Sequence, residues 1–379
     1  MNRIYFDNNA TTELDPSVLE AMLKELKGPP ANPSSVHYFG KRARSLLLQA
    51  RSSVASFFGV KPDELIFTSG GTEGINTLLR GLFAGQPKGH LITTSIEHSA
   101  VYQAVRSLEG AGLSVTYVPV DSWGAPLSGA IEEAIRPDTR AMVFSASNSE
   151  TGVKLDLEGV ALSAERNGVP LILDAVAFVG KEPLVLPIGV SAAVFSAHKF
   201  HGPKGIGGMV VRSHSKYVPL FSGGGQEFNR RAGTENLAGI VGMACAIEIL
   251  QEQQNEITDH LRTIRNRFEE GMVQAFPGIQ INGEGPRIVN TSNLAFPDID
   301  AETLLMHMDM AGIAASHGSA CSSGALEPSR VLLEMGFSTK RARSSLRFSF
   351  SRLNTVAEVD ACLERTAELI DKLYPRHLV

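Results

Sequence analysis

Several residues in this chain of 379 stand in settings that could do chemistry. Lys199 lies in Ser196-Ala-His-Lys-Phe-His-Gly-Pro-Lys204, directly after an apolar run that reads as a strand and before a glycine-rich turn. In open α/β sheets, ligands bind beyond the carboxyl ends of the strands. A lysine there, partly desolvated by apolar neighbours, has a depressed amine pKa and can form a Schiff base; a solvated loop lysine is the alternative. Asp174 ends Val169-Pro-Leu-Ile-Leu-Asp174, and a carboxylate closing so apolar a strand needs a cation to offset its desolvation. The protonated pyridine nitrogen of pyridoxal 5'-phosphate (PLP) would serve and would keep the ring electron-withdrawing; a helix N-cap aspartate is the alternative.

Three further elements are modest alone. Thr68-Ser-Gly-Gly-Thr-Glu73 joins a strand at Leu65 to a helix through Leu78-Leu79, so the amides of Gly71 and Thr72 can approach a phosphate at a helix N-terminus. No Gly-Lys-Ser/Thr follows, so this is not a P-loop. His98, in Ser95-Ile-Glu-His-Ser99, could stack on a planar ring or move protons, or be a satisfied loop histidine. Arg347, in Ser345-Leu-Arg-Phe-Ser-Phe350, sits within an apolar strand and needs an anion: a substrate carboxylate suits its fork, and an internal salt bridge is the alternative. Of three cysteines, Cys245 and Cys362 lie in helical apolar patterns and read as core. Cys321 lies among small residues in His317-Gly-Ser-Ala-Cys-Ser-Ser-Gly324 and is the one that looks reactive.

These residues need a scaffold. From about residue 60, short runs such as Leu65–Thr68, His90–Thr94, Ala141–Ser145, Val169–Asp174 and Ser191–Ser196 alternate with helical segments. Runs that are apolar without alternation predict a mostly parallel sheet covered on both faces by helices, an α/β architecture. A long helix marked by Ile257, Leu261, Ile264, Phe268 and Met272 leads into a different pattern. The expected division is a large domain over residues 13–254 and a smaller α+β domain made of 1–12 and 255–379. Thirty-five basic and forty acidic residues, net −5, argue against direct nucleic-acid or membrane-surface binding. The three cysteines match no disulfide framework and no metal-ligand spacing. With no apolar signal core in Met1–Asp7 and no run long enough to span a bilayer, a cytoplasmic protein is expected. A C-terminal extension able to dock a scaffold protein is expected to be short or absent.

Taken together the residues resemble those of the PLP-dependent class V aminotransferase superfamily, and within it the cysteine desulfurases of the NifS/IscS type. The resemblance runs from Asp7-Asn-Asn-Ala-Thr-Thr12 through Asn32-Pro-Ser-Ser-Val-His37, Thr68–Glu73, Glu97-His98, Ser196–Lys199 and Arg231-Ala-Gly-Thr234 to Arg347-Phe-Ser349. Its most discriminating segment is Gly318-Ser-Ala-Cys-Ser-Ser-Gly-Ala-Leu-Glu-Pro-Ser329, similar to the mobile cysteine loop (about 316–328) of one subgroup. The resemblance implies the PLP-transferase fold of type I, with Lys199 holding PLP covalently, Asp174 on the ring nitrogen and His98 stacked on the ring. It implies Gly71, Thr72, Ser196 and His198 around the phosphate, with Thr234 reaching across from a partner subunit, hence a homodimer. Arg347 would bind the carboxylate of L-cysteine, and Asn148 would contact substrate. The Cys321 thiolate would take sulfur as a persulfide and pass it to an acceptor for iron–sulfur cluster assembly or tRNA thiolation.

The chain departs from the family pattern at named positions. Ser149 and Ala177 stand where the family usually has asparagine and glutamine, and Ser222 and Gln226 where histidines are common. Loss of an amide donor at Ala177 is worth about 0.5–1.5 kcal/mol. The alternatives kept open are a selenocysteine lyase or cysteine sulfinate desulfinase on the same cofactor, and a degenerate PLP-binding scaffold.

Overall fold

The computed structural model describes residues 3–85, 88–213, 215–318 and 327–373. Within them the strands are β1 (Ile4–Tyr5), β2 (Leu65–Thr68), β3 (His90–Thr93), β4 (Ser114–Tyr117), β5 (Thr139–Ser145), β6 (Leu171–Asp174), β7 (Val190–Ser196), β8 (Gly207–Val211), β9 (Gln280–Ile281), β10 (Thr291–Ala295), β11 (Ile313–Ala314) and β12 (Ser345–Ser349). A seven-stranded sheet runs in the order β2-β8-β7-β6-β5-β3-β4. Its strands are parallel except β8, which runs antiparallel to both β2 and β7.

Strand periodicity divides the apolar side chains between two cores. Phe67, Ile92, Phe144, Leu173 and Phe195 face one side, against helices Tyr38–Phe57, Leu157–Asn167 and Leu237–Ala275. Ile66, Leu91, Val143, Ile172 and Val194 face the other, against helices Gly71–Leu82 and Ser99–Gly110. Burial on both faces is why these strands read as unbroken apolar runs.

Two strands of this seven-stranded sheet escape the sequence reading for identifiable reasons. β4 lies at the sheet edge and is only partly buried, so it lacks a full apolar run. β8 opens with Gly207 and Gly208 and reads as part of a glycine-rich turn. Those glycines have a steric cause: a Cβ on Gly208 would come 2.5 Å from the Phe195 ring, and one on Gly207 would come 2.4 Å from the Phe195 carbonyl oxygen.

The antiparallel trio β12-β10-β9 forms a second sheet, and β1 pairs in parallel with β11. The N-terminal segment forms a strand of two residues, too short to show alternation in the sequence. It is held to the second sheet by the Asn8 amide donating to Ser349 O at 3.1 Å. The helix Leu237–Ala275 is continuous for 39 residues, so the expected boundary at 254/255 falls inside one element. No helix among the described residues is long and apolar enough to cross a membrane.

The ends of β3 and β5 are tied by one buried carboxylate. Glu97 accepts hydrogen bonds from Thr94 Oγ1 (2.7 Å), the Ser145 amide (2.8 Å) and Ser145 Oγ (2.6 Å). Burial pushes its pKa from 4.5 up to about 7; the serine and threonine contacts oppose that rise and nearby Asp174 adds to it. A carboxyl raised on folding contributes stability fully present below its unfolded pKa and lost as pH rises through the folded one. Here that loss runs from about 4.5 to about 7. Glu97→Gln keeps the shape without the titration. Thermal unfolding of the two proteins from pH 5 to pH 8 should show wild type losing about 2 kcal/mol relative to the variant. A difference constant with pH would contradict this account.

Candidate active site at the carboxyl ends of the strands

The segments that follow β3, β5, β6 and β7 meet around one cavity. Asn9, Ala10, His98, Ser145, Ser147, Ser149, Asp174, Val176, Ala177, Lys199 and Arg347 line it. β7 ends at Ser196, and a single tight turn, Ala197–Lys199, delivers Lys199 to the cavity. Its Nζ donates to the carbonyl oxygens of Asn9 and Ala10, the latter at 3.0 Å. Asp174, the last residue of β6, is buried, and its Oδ1 accepts the Val176 amide at 3.0 Å. Burial pushes its pKa up, and His98, the Val176 amide and Lys199 oppose the rise. His98 starts the helix Ser99–Gly110, its Nδ1 accepting the Ala100 amide at 3.1 Å.

A polar cradle lies at the N-terminus of helix Gly71–Leu82. The Gly71 amide donates to Ser196 Oγ at 2.7 Å. Gly71 must lack a Cβ, which would come 2.5 Å from Val176 Cγ2. Thr72 follows, exposed. His198 is half-buried, with Nδ1 3.2 Å from Thr11 Oγ1. Burial and the charges of Lys199, Lys204 and Lys181 push its pKa down to about 4, so the ring is neutral at pH 7. Thr234 is exposed and does not line the cavity of its own chain; its segment is tied to the first turn of this helix by Arg231 and Glu73 at 2.8 Å.

Two expected substrate residues are placed differently. Arg347 reaches the cavity and is 2% exposed, with one fork nitrogen on Asp7 Oδ1 at 2.7 Å and the other on Ser149 O at 3.1 Å. An internal salt bridge and a cavity-lining position thus coexist. Asn148 does not line the cavity. Its Oδ1 accepts the amides of Glu150 (2.9 Å) and Thr151 (3.0 Å), and its Nδ2 donates to Ile96 O at 3.1 Å. The side-chain amide is spent on shaping the turn, which turns Ser147 and Ser149 toward the cavity instead.

Cys321 lies outside the described residues, as do 319–326. The two described ends of that segment converge on Glu150: Ser329 Oγ donates to Glu150 Oε2 at 2.5 Å, and a Cβ on Gly318 would sit 3.5 Å from the same oxygen. Arg330 donates to Glu97 O at 2.7 Å and stacks 4.2 Å above the Tyr102 ring. Burial pushes the Cys362 thiol up to about 12 and raises that of Cys245 as well, so both are held in the unreactive thiol form.

Sequence reasoning missed Asp7, Asn9, Glu97 and Lys181. Asn9 is wholly engaged: Nδ2 donates to Ser149 O (3.0 Å) and Thr291 Oγ1 (2.9 Å), and Oδ1 accepts from Asn290 Nδ2 (3.0 Å). The run Asp7-Asn-Asn held the only signal for two of these, since such polar density beside an apolar strand needs partners. Glu97 and Lys181 sit in ordinary polar contexts and become notable only through burial.

The residues fit PLP. Ser147 Oγ lines the cavity buried, with no hydrogen-bond partner among the described residues. Asp174 is a buried carboxylate whose desolvation a pyridinium would offset. The Gly71 amide and Ser196 hydroxyl, bonded to each other at a helix N-terminus, are groups that would suit a phosphate, and Lys199 lines the cavity.

Comparison with known proteins agrees. Residues 4–362 match the family model described as aminotransferase class-V. A protein named cysteine desulfurase 2 from Trichormus variabilis is 41% identical over 98% of this chain and 94% of its own length. Cysteine desulfurase IscS of Dictyoglomus turgidum is 38% identical over 98% of this chain and 95% of its own. A solved structure titled NifS-like protein superposes with a TM-score of 0.90 at 36% identity, covering 98% of this chain and all of that one. With the family match spanning nearly the whole chain and the site at the strand ends built from the matching segments, the chain belongs to the PLP-dependent class-V aminotransferase family.

Proposed function

We propose that this enzyme is a cysteine desulfurase that releases L-alanine from L-cysteine and carries the sulfur as a persulfide on Cys321. The observation that carries the reading is the joint placement of Lys199, Asp174, His98 and Arg347 around one cavity in a chain about 40% identical to named cysteine desulfurases. Lys199 would hold PLP, Asp174 its ring nitrogen and His98 its face, with Gly71, Thr72, Ser196 and His198 at the phosphate. When bound, PLP supplies an electron sink that labilises bonds around the substrate Cα.

The chain's own groups do the rest. Arg347 orients the substrate carboxylate. The Lys199 amine takes the proton from the substrate Cα and returns protons as the product forms. His98, its Nδ1 holding the Ala100 amide, presents Nε2 for a second proton transfer. The Cys321 thiolate attacks the substrate sulfur; an S–S bond forms, the Cβ–S bond breaks, and the electron pair leaves with Cβ, which gains a proton. The substrate carbon is reduced and the transferred sulfur becomes sulfane sulfur on Cys321, so no external oxidant is needed. The acceptor then takes that sulfur for cluster assembly or tRNA thiolation.

The finer organisation is part of the proposal. A large domain over 13–254 would carry the cofactor, and a small one from 1–12 and 255–379 would carry Cys321. Val36, Tyr38, Phe39, Val218, Phe221 and Phe228 are exposed, an apolar set that suits a homodimer in which Thr234 serves the partner's phosphate site.

Three measurements test this. Purified enzyme with L-cysteine and a dithiol reductant to discharge the persulfide should give alanine and sulfide; Cys321→Ala should keep the cofactor absorbance yet lose sulfide release, and Lys199→Ala should lose turnover. Equal sulfide from wild type and Cys321→Ala would reject the persulfide route. Arg347→Lys should raise KM for L-cysteine by about 10- to 100-fold while the bound cofactor keeps its spectrum. An unchanged KM would place carboxylate recognition elsewhere. Sedimentation equilibrium should return twice the chain mass, and a monomer with full PLP occupancy would remove Thr234 from the site.

A further inference from the structure

Lys181 is the buried titratable group that the mechanism above does not use. It is 3% exposed, in Gly180-Lys-Glu-Pro183 after the segment that follows β6. Its Nζ donates to the backbone carbonyl of Lys199. Its own backbone is fixed too: its amide donates to Phe178 O at 3.1 Å, and its carbonyl accepts Thr258 Oγ1 from the long helix at 3.0 Å. A lysine buried this deeply is normally matched to a carboxylate. The charges acting on this one are both positive, Lys199 and Arg352, and Arg352 is itself held by Asp15. The neighbouring Glu182 is directed elsewhere, to Lys154 Nζ at 2.8 Å and to the Val289 amide at 3.0 Å. His198 and His201 are the other titratable groups that feel Lys181, and burial keeps both neutral.

We propose that Lys181 is a positioning residue for Lys199: it anchors the carbonyl of the turn that presents the reacting amine, and its buried positive charge opposes a second positive charge on the Lys199 nitrogen. A cation beside a buried lysine is one of the ways an amine is kept nucleophilic. The repulsion is mutual. Burial and the Lys199 charge hold the Lys181 pKa near 7, and the same interaction acts back on Lys199.

This inference rests on Lys199 being the residue that carries PLP. The test is a spectrophotometric pH titration of the bound cofactor in holoenzyme, from pH 6 to 10, for wild type, Lys181→Met and Lys181→Arg. Methionine keeps the length and removes a charge that wild type carries mainly below about pH 7, so the midpoint of the absorbance change should rise, by up to about one pH unit. Arginine keeps a permanent charge, so its midpoint should lie at or below that of wild type. A Lys181→Met midpoint equal to wild type would overturn the electrostatic role. Should the methionine variant not fold, the arginine variant decides alone, and a midpoint above wild type overturns the proposal. Borohydride reduction and peptide mass analysis keep the two claims apart: label on another residue sinks the assignment of Lys199, whereas label on Lys199 with coincident midpoints sinks this inference only.

Discussion

The site depends on where the segment Asp7–Asp15 lies, because that segment touches both sheets at once. Asp7 pairs with Arg347 of β12, and Asn8 and Asn9 bond to Ser349 of the same strand. A few residues on, the carbonyls of Asn9 and Ala10 receive Lys199 Nζ, Thr12 donates to His198 O, and Thr12 Oγ1 accepts the His201 amide at 2.7 Å. Substrate would lie between an arginine from one sheet and a lysine from the other. The strip that joins them turns tightly at residues 8–10, where the Ala10 amide donates to Asp7 O at 3.0 Å, so one short turn carries contacts to both. The Asn9 side chain, bonded to Ser149 and Thr291, stiffens the strip at its midpoint.

A second constraint follows from burial. Asp174 and Glu97 are both raised by desolvation, and Asp174 adds to the rise at Glu97. Lys199 acts on Lys181 and on His198, and burial keeps His198 and His201 neutral. Clustering like charges makes each ionisation depend on its neighbour's, so proton affinities in the site belong to pairs rather than to single residues. A cofactor bearing both a cationic ring nitrogen and an anionic phosphate would suit such a site: the Asp174 carboxylate would hold the nitrogen, and amides, a hydroxyl and a neutral imidazole would hold the phosphate.

What the sequence reveals is what sits at an abrupt change of residue character. Lys199, Asp174, His98 and Gly71 all follow apolar runs that are strands because they are buried on both faces, and the strand end is where an α/β sheet presents its ligand groups. Cys321 is visible from its small neighbours alone. The partner of Arg347 is not visible, because Asp7 is 340 positions away and nothing local couples them. Asn148 is ambiguous for the opposite reason: an asparagine in a polar turn reads equally as a ligand group or as a turn-former, and only the structure shows its Oδ1 accepting the turn amides of Glu150 and Thr151. Lys181 reads as a surface lysine until tertiary packing covers it.

The departure at Ala177 is best understood through the neighbours it keeps. Ala177 and Val176 both line the cavity, and Val176 is the residue whose packing forbids a Cβ on Gly71. This wall of the cavity is therefore shaped by aliphatic contact, which alanine at position 177 leaves in place. Polar compensation has to come from across the cavity, where Ser145, Ser147 and Ser149 alternate along the end of β5 and the turn that Asn148 shapes. Of these, Ser145 already serves Glu97, and the Ser149 carbonyl serves Asn9 and Arg347. The buried Ser147 hydroxyl has no partner among the described residues. A buried hydroxyl left unpaired costs about 1–3 kcal/mol, which a bound oxygen or nitrogen atom would recover.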